Sequence, residues 1–357
     1  MLGAVLPLLG PWLADRGVGA VGVGLATAAF SLAKLVWAPW VAAWVDRGHW
    51  LPRLLALHLA PSVVAASLLP LFDGVIAVTL ALLVIGIGYG TVLPLVEATV
   101  LEELPASGYG ALRLWGSVGF VVVAIAAPLV LGERVTACFP VLLALLLVIL
   151  MLACRPYDRP VNSHDRPSQA SLPAAAWLLL VVLTLHQVAH GPFYAFLSVR
   201  LADAGWASST IGAAWALGVL AELLAFSSSA ALQRRLGLAP LLTLALVLTP
   251  LRWLLLALPA TAPVVVLAQL GHAATFALAH AAGIQLVQRS APPGAERHAQ
   301  ALYSGLAFGL GIVVGTAVAG PAYAWLGGAG SFACAAALSA VVAVAWLSIA
   351  RRFREPS

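Results

Sequence analysis

The chain has 357 residues, of which 62% are hydrophobic and only 9% are charged. A typical soluble globular protein has about 25% charged residues. The mean hydropathy is +1.03, and apolar runs long enough to cross about 30 Å of hydrocarbon recur along the chain. This composition excludes a soluble globular protein and predicts a polytopic membrane protein. The three cysteines, Cys138, Cys154 and Cys334, are too scattered for a metal or redox motif.

The apolar segments fall into two sets of six, separated by a polar linker at 154–169 that is rich in charge and proline. The first six segments are 1–14, 19–45, 51–72, 74–101, 109–132 and 135–154. The second six are 173–199, 208–232, 238–258, 262–288, 299–325 and 328–350. We therefore expect an all-α membrane protein of twelve helices. Its expected parts are an N-terminal six-helix half at 1–154, a linker at 155–172, a C-terminal six-helix half at 173–350 and a tail at 351–357.

Arginine placement predicts the orientation in the membrane. If the linker is cytoplasmic, thirteen arginines lie on the cytoplasmic side and three on the opposite side. Cytoplasmic loops of membrane proteins carry an excess of Lys and Arg. Both termini are therefore expected in the cytoplasm, and the expected location is the inner (plasma) membrane of a bacterial cell.

An internal repeat relates the two halves at an offset of 188 residues. "LADRG" at 13–17 recurs as "LADAG" at 201–205, and "LAKL" at 32–35 recurs as "LAEL" at 220–223. The halves are thus expected to be parallel copies. Segment 7 begins near Pro173, so its copy in the first half would begin about 14 residues before Met1. We accordingly expect a longer first helix than the given start allows, through a misassigned start codon or a truncated chain.

The repeat aligns Lys34, the only lysine, with Glu222 at the equivalent position of the second half. Lys34 lies about 12 residues from the nearer end of its segment, and a charge at mid-membrane depth costs several kcal/mol. We expect Lys34 to line the central substrate cavity. The alternative is a lysine whose long side chain reaches the membrane surface.

Glu222 and Arg252 lie at similar depth in adjacent antiparallel segments, counted from the turn between them. Such a pair can exchange a proton when a conformational change separates it, which suits proton coupling. The alternative is a static salt bridge that fixes two helices together.

His272 and His280 share one face of segment 10 with Phe276, at i, i+4 and i+8. Histidine titrates near physiological pH, so they suit a proton relay; pore lining or packing is the alternative.

"HGPFY" at 190–194 predicts a break in a cavity-lining helix, with Tyr194 available to a substrate. His186 and His190 lie one turn apart before this break. With no cysteine or carboxylate near them in sequence, a metal site is not favoured, and we assign them to the substrate cavity.

Glu97 and Arg113 flank the turn between segments 4 and 5 symmetrically, which would set them level as part of the same cavity. The alternative is an anchoring role for Arg113 and a membrane-end position for Glu97.

"YGALRLWGSVGF" (109–120) resembles the start of the fifth helix in lactose-permease-like and phenylpropionate-permease-like symporters of the major facilitator superfamily. "LRWLLLA" (251–257), "HAATFALAH" (272–280) and "QALYSGLAFGLG" (300–311) resemble the second of these groups. The resemblance implies the twelve-helix major facilitator fold. It also implies proton coupling through Glu222, Arg252 and His272 or His280, and substrate binding by Glu97 and Arg113.

These observations predict a proton-coupled symporter that imports a small organic solute, such as an aromatic acid, a sugar or a nucleoside-like compound. The alternative is proton-antiport efflux of small hydrophobic compounds. An enzyme is not expected, since the sequence has no phosphate-binding loop, Ser/His/Asp spacing or metal motif. The expected partners are the solute, protons and the lipid bilayer, with no cofactor, metal or nucleic acid, and the expected state is a monomer.

Overall fold

The computed structural model describes the backbone of residues 1–45, 51–103, 106–153 and 171–353. Side chains are described for the same residues except 34, 38–45, 51–54, 91, 93–103 and 106–113. The chain forms two compact units, Met1–Asp165 with Ala207–Ser209, and Arg166–Trp206 with Thr210–Ser357. We call them the N-terminal and the C-terminal unit.

The described residues are almost all helical, as the composition predicts. The N-terminal unit contains α1 (Leu2–Asp15), α2 (Ala20–Val45), α3 (Leu51–Leu68), α4 (Val75–Glu103), α5 (Ala106–Leu131) and α6 (Phe139–Ala153). The second half of the chain contains α7 (Ala174–Val188), α8 (Gly191–Asp203), α9 (Ser208–Leu236), α10 (Leu238–Ala257), α11 (Ala262–His272), α12 (Ala279–Arg289), α13 (Glu296–Tyr303) and α14 (Ile312–Ile349). Two π-helical segments, Ala273–Leu278 and Ser304–Gly311, join α11 to α12 and α13 to α14.

Seven helices among the described residues are long and apolar enough to cross a membrane, and four shorter apolar helices accompany them. The last of the seven runs over 58 residues, Glu296–Phe353. A straight helix of that length would measure roughly 87 Å, far more than the membrane core. Gly327, with φ 67° and ψ −178°, interrupts it. This confirms the predicted turn between segments 11 and 12, while the total of twelve helices stays a prediction.

Large apolar side chains cover much of the outer surface. Val130, Ile76 and Trp325 are each more than three-quarters exposed. A soluble protein rarely exposes apolar side chains so densely, and lipid is the solvent that suits them. Hydroxyl side chains within the helices bond to the backbone of their own helix. Thr27, Thr184 and Thr249 each donate to the carbonyl four residues earlier. Satisfying polar groups within the segment is what a hydrocarbon environment requires.

The internal repeat is visible in the backbone of both units. The amide of Val18 donates to the Leu13 carbonyl at 3.0 Å, across Gly17 with φ 72°. The amide of Trp206 donates to the Leu201 carbonyl at 3.0 Å, across Gly205 with φ 83°. Both glycines have left-handed backbone angles, which commonly end a helix. This conformation costs glycine little, because it has no Cβ. The predicted offset of 188 residues is therefore confirmed by two copies of one helix-ending turn.

Each unit also ties this turn to a later loop. In the N-terminal unit, Arg16 Nη2 donates to the carbonyls of Pro70 and Phe72, at 3.0 and 3.2 Å. The same nitrogen lies 3.2 Å from the carboxylate of Asp73. The guanidinium thus satisfies the carbonyls that α3 and its final turn leave without a helical partner.

The C-terminal unit satisfies the equivalent carbonyls with different side chains. Arg200 Nη2 donates to the Leu258 carbonyl at 2.7 Å, and Trp206 Nε1 donates to the Ala260 carbonyl at 2.9 Å. Leu258 and Ala260 lie 188 residues after Pro70 and Phe72. The repeat therefore preserves the acceptors, while the donors have changed.

The C-terminal unit is packed around α14 and α10. Helices α7 and α8 lie against α14, and α10 lies against α12 and α14. Trp253, Trp346, Phe193 and Phe332 are fully buried between these helices. A side chain on Gly191 would overlap the backbone of α14 at Gly315. This close approach brings the junction of α7 and α8 into the middle of the unit.

Candidate functional site

The predicted break in "HGPFY" is present, since α7 ends at Val188 and α8 begins at Gly191 with Pro192 in its first turn. Proline fits the first turn of a helix because its missing N–H has no helical partner there. The two helices together form one apolar span of 30 residues, Ala174–Asp203. The candidate site gathers around their junction.

His186 and His190 lie beside the junction and are buried. His186 Nε2 lies 2.9 Å from the Thr275 carbonyl, and His190 Nδ1 lies 2.8 Å from the His186 carbonyl. A carbonyl only accepts, so each of these ring nitrogens carries its hydrogen. The opposite nitrogens, His186 Nδ1 and His190 Nε2, have no hydrogen-bond partner among the described residues. In its neutral form each imidazole has one free acceptor nitrogen, which is compatible with the predicted cavity role.

Tyr194 follows on α8, one turn after His190. The two rings are stacked, with centroids 6.1 Å apart and planes 28° from parallel. His190 in turn meets the Trp253 ring edge-on, at a centroid distance of 4.8 Å. The rings of His190, Tyr194 and Trp253 thus form a continuous aromatic cluster at the junction of α7 and α8.

Arg252 lies on α10 with only 2% of its surface exposed. Its Nε donates to the Ala268 carbonyl at 2.7 Å. Its guanidinium carbon lies 4.3 Å from the centroid of the Phe193 ring and 4.5 Å from that of Trp253. Neither Nη1 nor Nη2 has a hydrogen-bond partner among the described residues. The sequence predicted a pair of Arg252 with Glu222, and in this structure no hydrogen bond joins them.

The carboxylate of Glu222 faces a different residue. Its Oε2 lies 3.6 Å from His272 Nε2, which makes an ion pair when the histidine is protonated. The two side chains are 22% and 8% exposed. Helix α9 thus presents Glu222 to His272 of α11. The prediction that Glu222 and Arg252 lie at equal depth in the membrane stays a prediction.

The predicted face of His272, Phe276 and His280 is present as a stack of three rings. The centroids of His272 and Phe276 are 4.9 Å apart, and those of Phe276 and His280 are 6.4 Å apart, with planes within 20°. The stack follows the first π-helical segment. Its far end is held by Tyr303, whose hydroxyl lies 3.0 Å from His280 Nδ1.

A small cavity of about 10 Å³, room for about one water molecule, lies beside this stack, between α7 and the second π-helical segment. Its lining includes His186, Gln187, Phe276, His280, Tyr303 and Phe308. Phe308 stands edge-on to His280 at 5.0 Å and to Phe276 at 5.9 Å. The predicted histidines of α7 and α12 therefore share one cavity.

Sequence reasoning missed Phe193, Trp253 and Tyr303 as members of the site. Phe193 and Trp253 contact the Arg252 guanidinium with their rings. Phe193 directly precedes Tyr194 and Trp253 directly follows Arg252, and both of these neighbours were predicted site residues. An arginine followed directly by tryptophan in an apolar run was the available signal. Tyr303 gave no such signal, since aromatic residues in helices most often pack.

The three candidates of the first half are only partly described. Lys34 lies in α2, Glu97 in α4 and Arg113 in α5. Their side chains lie outside the described residues, so their predicted contacts stay predictions. Among the described residues, no group of three or more His, Cys, Asp or Glu side chains could hold a metal ion.

Comparisons with known proteins agree with this architecture. The chain is 30% identical over 346 residues to a probable 3-phenylpropionic acid transporter of Escherichia coli (strain K12), covering 91% of this chain and 88% of the relative. It is 28% identical over 239 residues to maltose permease of Geobacillus stearothermophilus, covering 64% of this chain and 60% of that protein.

Solved structures show the same fold. The nucleoside transporter NupG, in a mutant form, matches with a TM-score of 0.87 at 16% identity, covering 97% of this chain and 95% of that one. A bacterial homolog of the human lysosomal transporter Spinster matches with a TM-score of 0.78 at 12% identity, covering 99% and 95%. The family model described as MFS_1 like family matches residues 1–334. The chain therefore belongs to the MFS_1-like family of major facilitator transporters.

Proposed function

We propose that this membrane transporter is a proton-coupled symporter that imports a small organic solute by alternating access. We place it in the bacterial inner membrane as a monomer with both termini cytoplasmic. The observation that carries the proposal is the contact of Glu222 with His272 in the interior of the C-terminal unit. An ionisable pair inside a membrane domain is costly to maintain and therefore indicates a functional role.

The chemistry of this pair suits proton transfer. A carboxylate and an imidazole in contact are both protonatable groups, so one proton can pass between them. His272 Nδ1 has no hydrogen-bond partner among the described residues. The ring can thus take a proton from one side and pass one to Glu222 from the other.

A second protonatable pair lies further along the same helix. His280 and the Tyr303 hydroxyl are hydrogen-bonded, and the Phe276 ring separates them from His272. An apolar ring between two polar pairs blocks direct proton passage. In the proposed cycle, movement of Phe276 would connect the pairs in one conformation and isolate them in another, as coupling requires.

The names of the relatives suggest the solutes to test. They comprise an aromatic acid, a sugar and a nucleoside. The aromatic cluster around Tyr194 suits the first of these. We therefore choose 3-phenylpropionate as the first probe, with maltose and uridine beside it.

The test is uptake of radiolabelled probe into proteoliposomes. An inward proton gradient should drive accumulation above equilibrium, and a protonophore should abolish it. Protein-free vesicles are an essential control, because the neutral acid crosses lipid unaided. Accumulation driven only by a proton gradient of the opposite direction would establish antiport instead. No protein-dependent movement of any of the three probes would contradict the proposal.

A further inference from the structure

The guanidinium of Arg252 has two unused donor groups in the interior of the C-terminal unit. Its Nε is bonded to the Ala268 carbonyl, whereas Nη1 and Nη2 have no hydrogen-bond partner among the described residues. Only 2% of the residue is exposed. A buried charge with most of its N–H groups left without acceptors is strongly disfavoured unless something binds to it. This points to a ligand that supplies the acceptors.

The surroundings fix the orientation of the guanidinium. Phe193 and Trp253 lie against it at 4.3 and 4.5 Å, and the Nε bond prevents rotation of the group. Aromatic faces hold a planar cation without using its N–H groups. The outer edge, with Nη1 and Nη2, is therefore the part of the group that lacks acceptors among the described residues.

Arg200 shows what a structural arginine looks like in the same unit. Its Nη2 donates to the carbonyls of Ala257 and Leu258, at 3.3 and 2.7 Å. Its guanidinium carbon lies 6.0 Å from the Phe332 ring. Arg200 thus has carbonyl acceptors for its terminal nitrogen, and Arg252 has none among the described residues.

We propose that Arg252 is the anion-binding residue of the substrate site and holds the carboxylate of a small organic acid through Nη1 and Nη2. Two parallel N–H···O bonds to a carboxylate are the arrangement that arginine favours. In this proposed site the partly exposed Tyr194 contacts the hydrocarbon part of the acid, while Phe193 and Trp253 hold the guanidinium. This inference rests on the proposed function, names its substrate class, and moves Arg252 from the predicted proton-coupling group to the solute.

The experiment compares two probes that differ only in charge, 3-phenylpropionate and its neutral amide. Binding to the purified full chain in detergent is measured by calorimetry, which avoids passive diffusion of the acid through lipid. The wild type should bind the acid about tenfold or more tightly than the amide, from two charge-assisted hydrogen bonds. Arg252→Gln should remove most of this preference by weakening acid binding, with amide binding changed less than about threefold.

Two further variants make the comparison decisive. Arg252→Lys keeps the charge without the two-pronged geometry and should lose part of the preference, which tests the inference even if Arg252→Gln does not fold. Arg200→Gln is the matched control and should leave the preference unchanged. Equal weakening of both probes in the Arg252 variants, or a wild type that binds acid and amide alike, would overturn the inference.

Failure of the inference is distinguishable from failure of the proposed function. If the proteoliposomes accumulate solutes without regard to their charge, the symport proposal stands and the role of Arg252 falls. If the acid binds through Arg252 but is never accumulated, the binding site stands and the symport proposal falls.

Discussion

Glu222 Oε2 and His272 Nε2 face each other at 3.6 Å, from helices α9 and α11. The Arg252 guanidinium lies against aromatic rings instead, at 4.3 Å from Phe193 and 4.5 Å from Trp253. The proposed proton coupling therefore depends on Glu222 and His272 in the first instance.

Glu222→Gln should abolish accumulation driven by a proton gradient, while exchange of labelled for unlabelled solute at equal pH persists. The amide mimics the protonated acid and cannot release a proton. Glu222→Asp retains the acid with a shorter reach and should keep coupling at a reduced rate. Both are measured in proteoliposomes, with Glu296→Gln, an exposed carboxylate of α13, as the control.

Accumulation that survives in Glu222→Gln would show that the proton travels elsewhere. Loss of the variant from the membrane would instead favour a structural role for the carboxylate. Protein amount in the vesicles is therefore quantified beside every uptake measurement.

Tyr303→Phe should lower the rate of gradient-driven uptake by several-fold and leave exchange at equal pH nearly intact. The change removes the hydroxyl that bonds His280 and keeps the ring that packs on Phe308 at 5.4 Å. Tyr323→Phe removes a comparable hydroxyl, bonded to Asp203 away from the stack, and is the matched control. Equal effects of the two variants would exclude a specific role for Tyr303.

Gly315→Ala should prevent normal packing of α14 against α7. An added Cβ would lie 2.5 Å from the Val188 carbonyl and 3.0 Å from Val188 Cα, too close for backbone that cannot move aside. Gly305→Ala adds the same methyl group where no atom lies within 4 Å. That control should be neutral or slightly stabilising, since alanine gains up to about 1 kcal/mol over glycine in a helix. Thermal unfolding in detergent, with the yield of monodisperse protein, decides between them.

Arg16→Gln should lower the thermal midpoint of the protein by a few degrees, on the order of 2–4 °C. The change removes the guanidinium that donates hydrogen bonds to the carbonyls of Pro70 and Phe72. Asp73→Asn removes only the ionic partner, which is almost fully exposed. An exposed ion pair contributes little to stability, so this control should shift the midpoint by less. A larger loss from Asp73→Asn would show that the ion pair, not the carbonyl contacts, stabilises the loop.

Periodicity and composition were sufficient for the helical character of the chain, the repeat and the shared face of His272, Phe276 and His280. Each depends on spacing along one helix, which a sequence displays directly. The partner of Glu222 could not be obtained in this way, because counting residues gives depth and not the direction in which α9 is rotated. The aromatic enclosure of Arg252 likewise joins α8 to α10, and contacts between helices leave no periodic signal.

The two π-helical segments have a mechanical consequence. Each carries an extra residue per turn compared with an α-helix, and such insertions concentrate at functional sites. If Ala273–Leu278 tightened into an α-helix, α12 would turn relative to α11 by about 100° and shift by about 1.5 Å. His280 would then swing out of register with Phe276 and away from Tyr303. A local change of winding, with no hinge and no loop, is thus enough to reset the polar contacts of the whole helix.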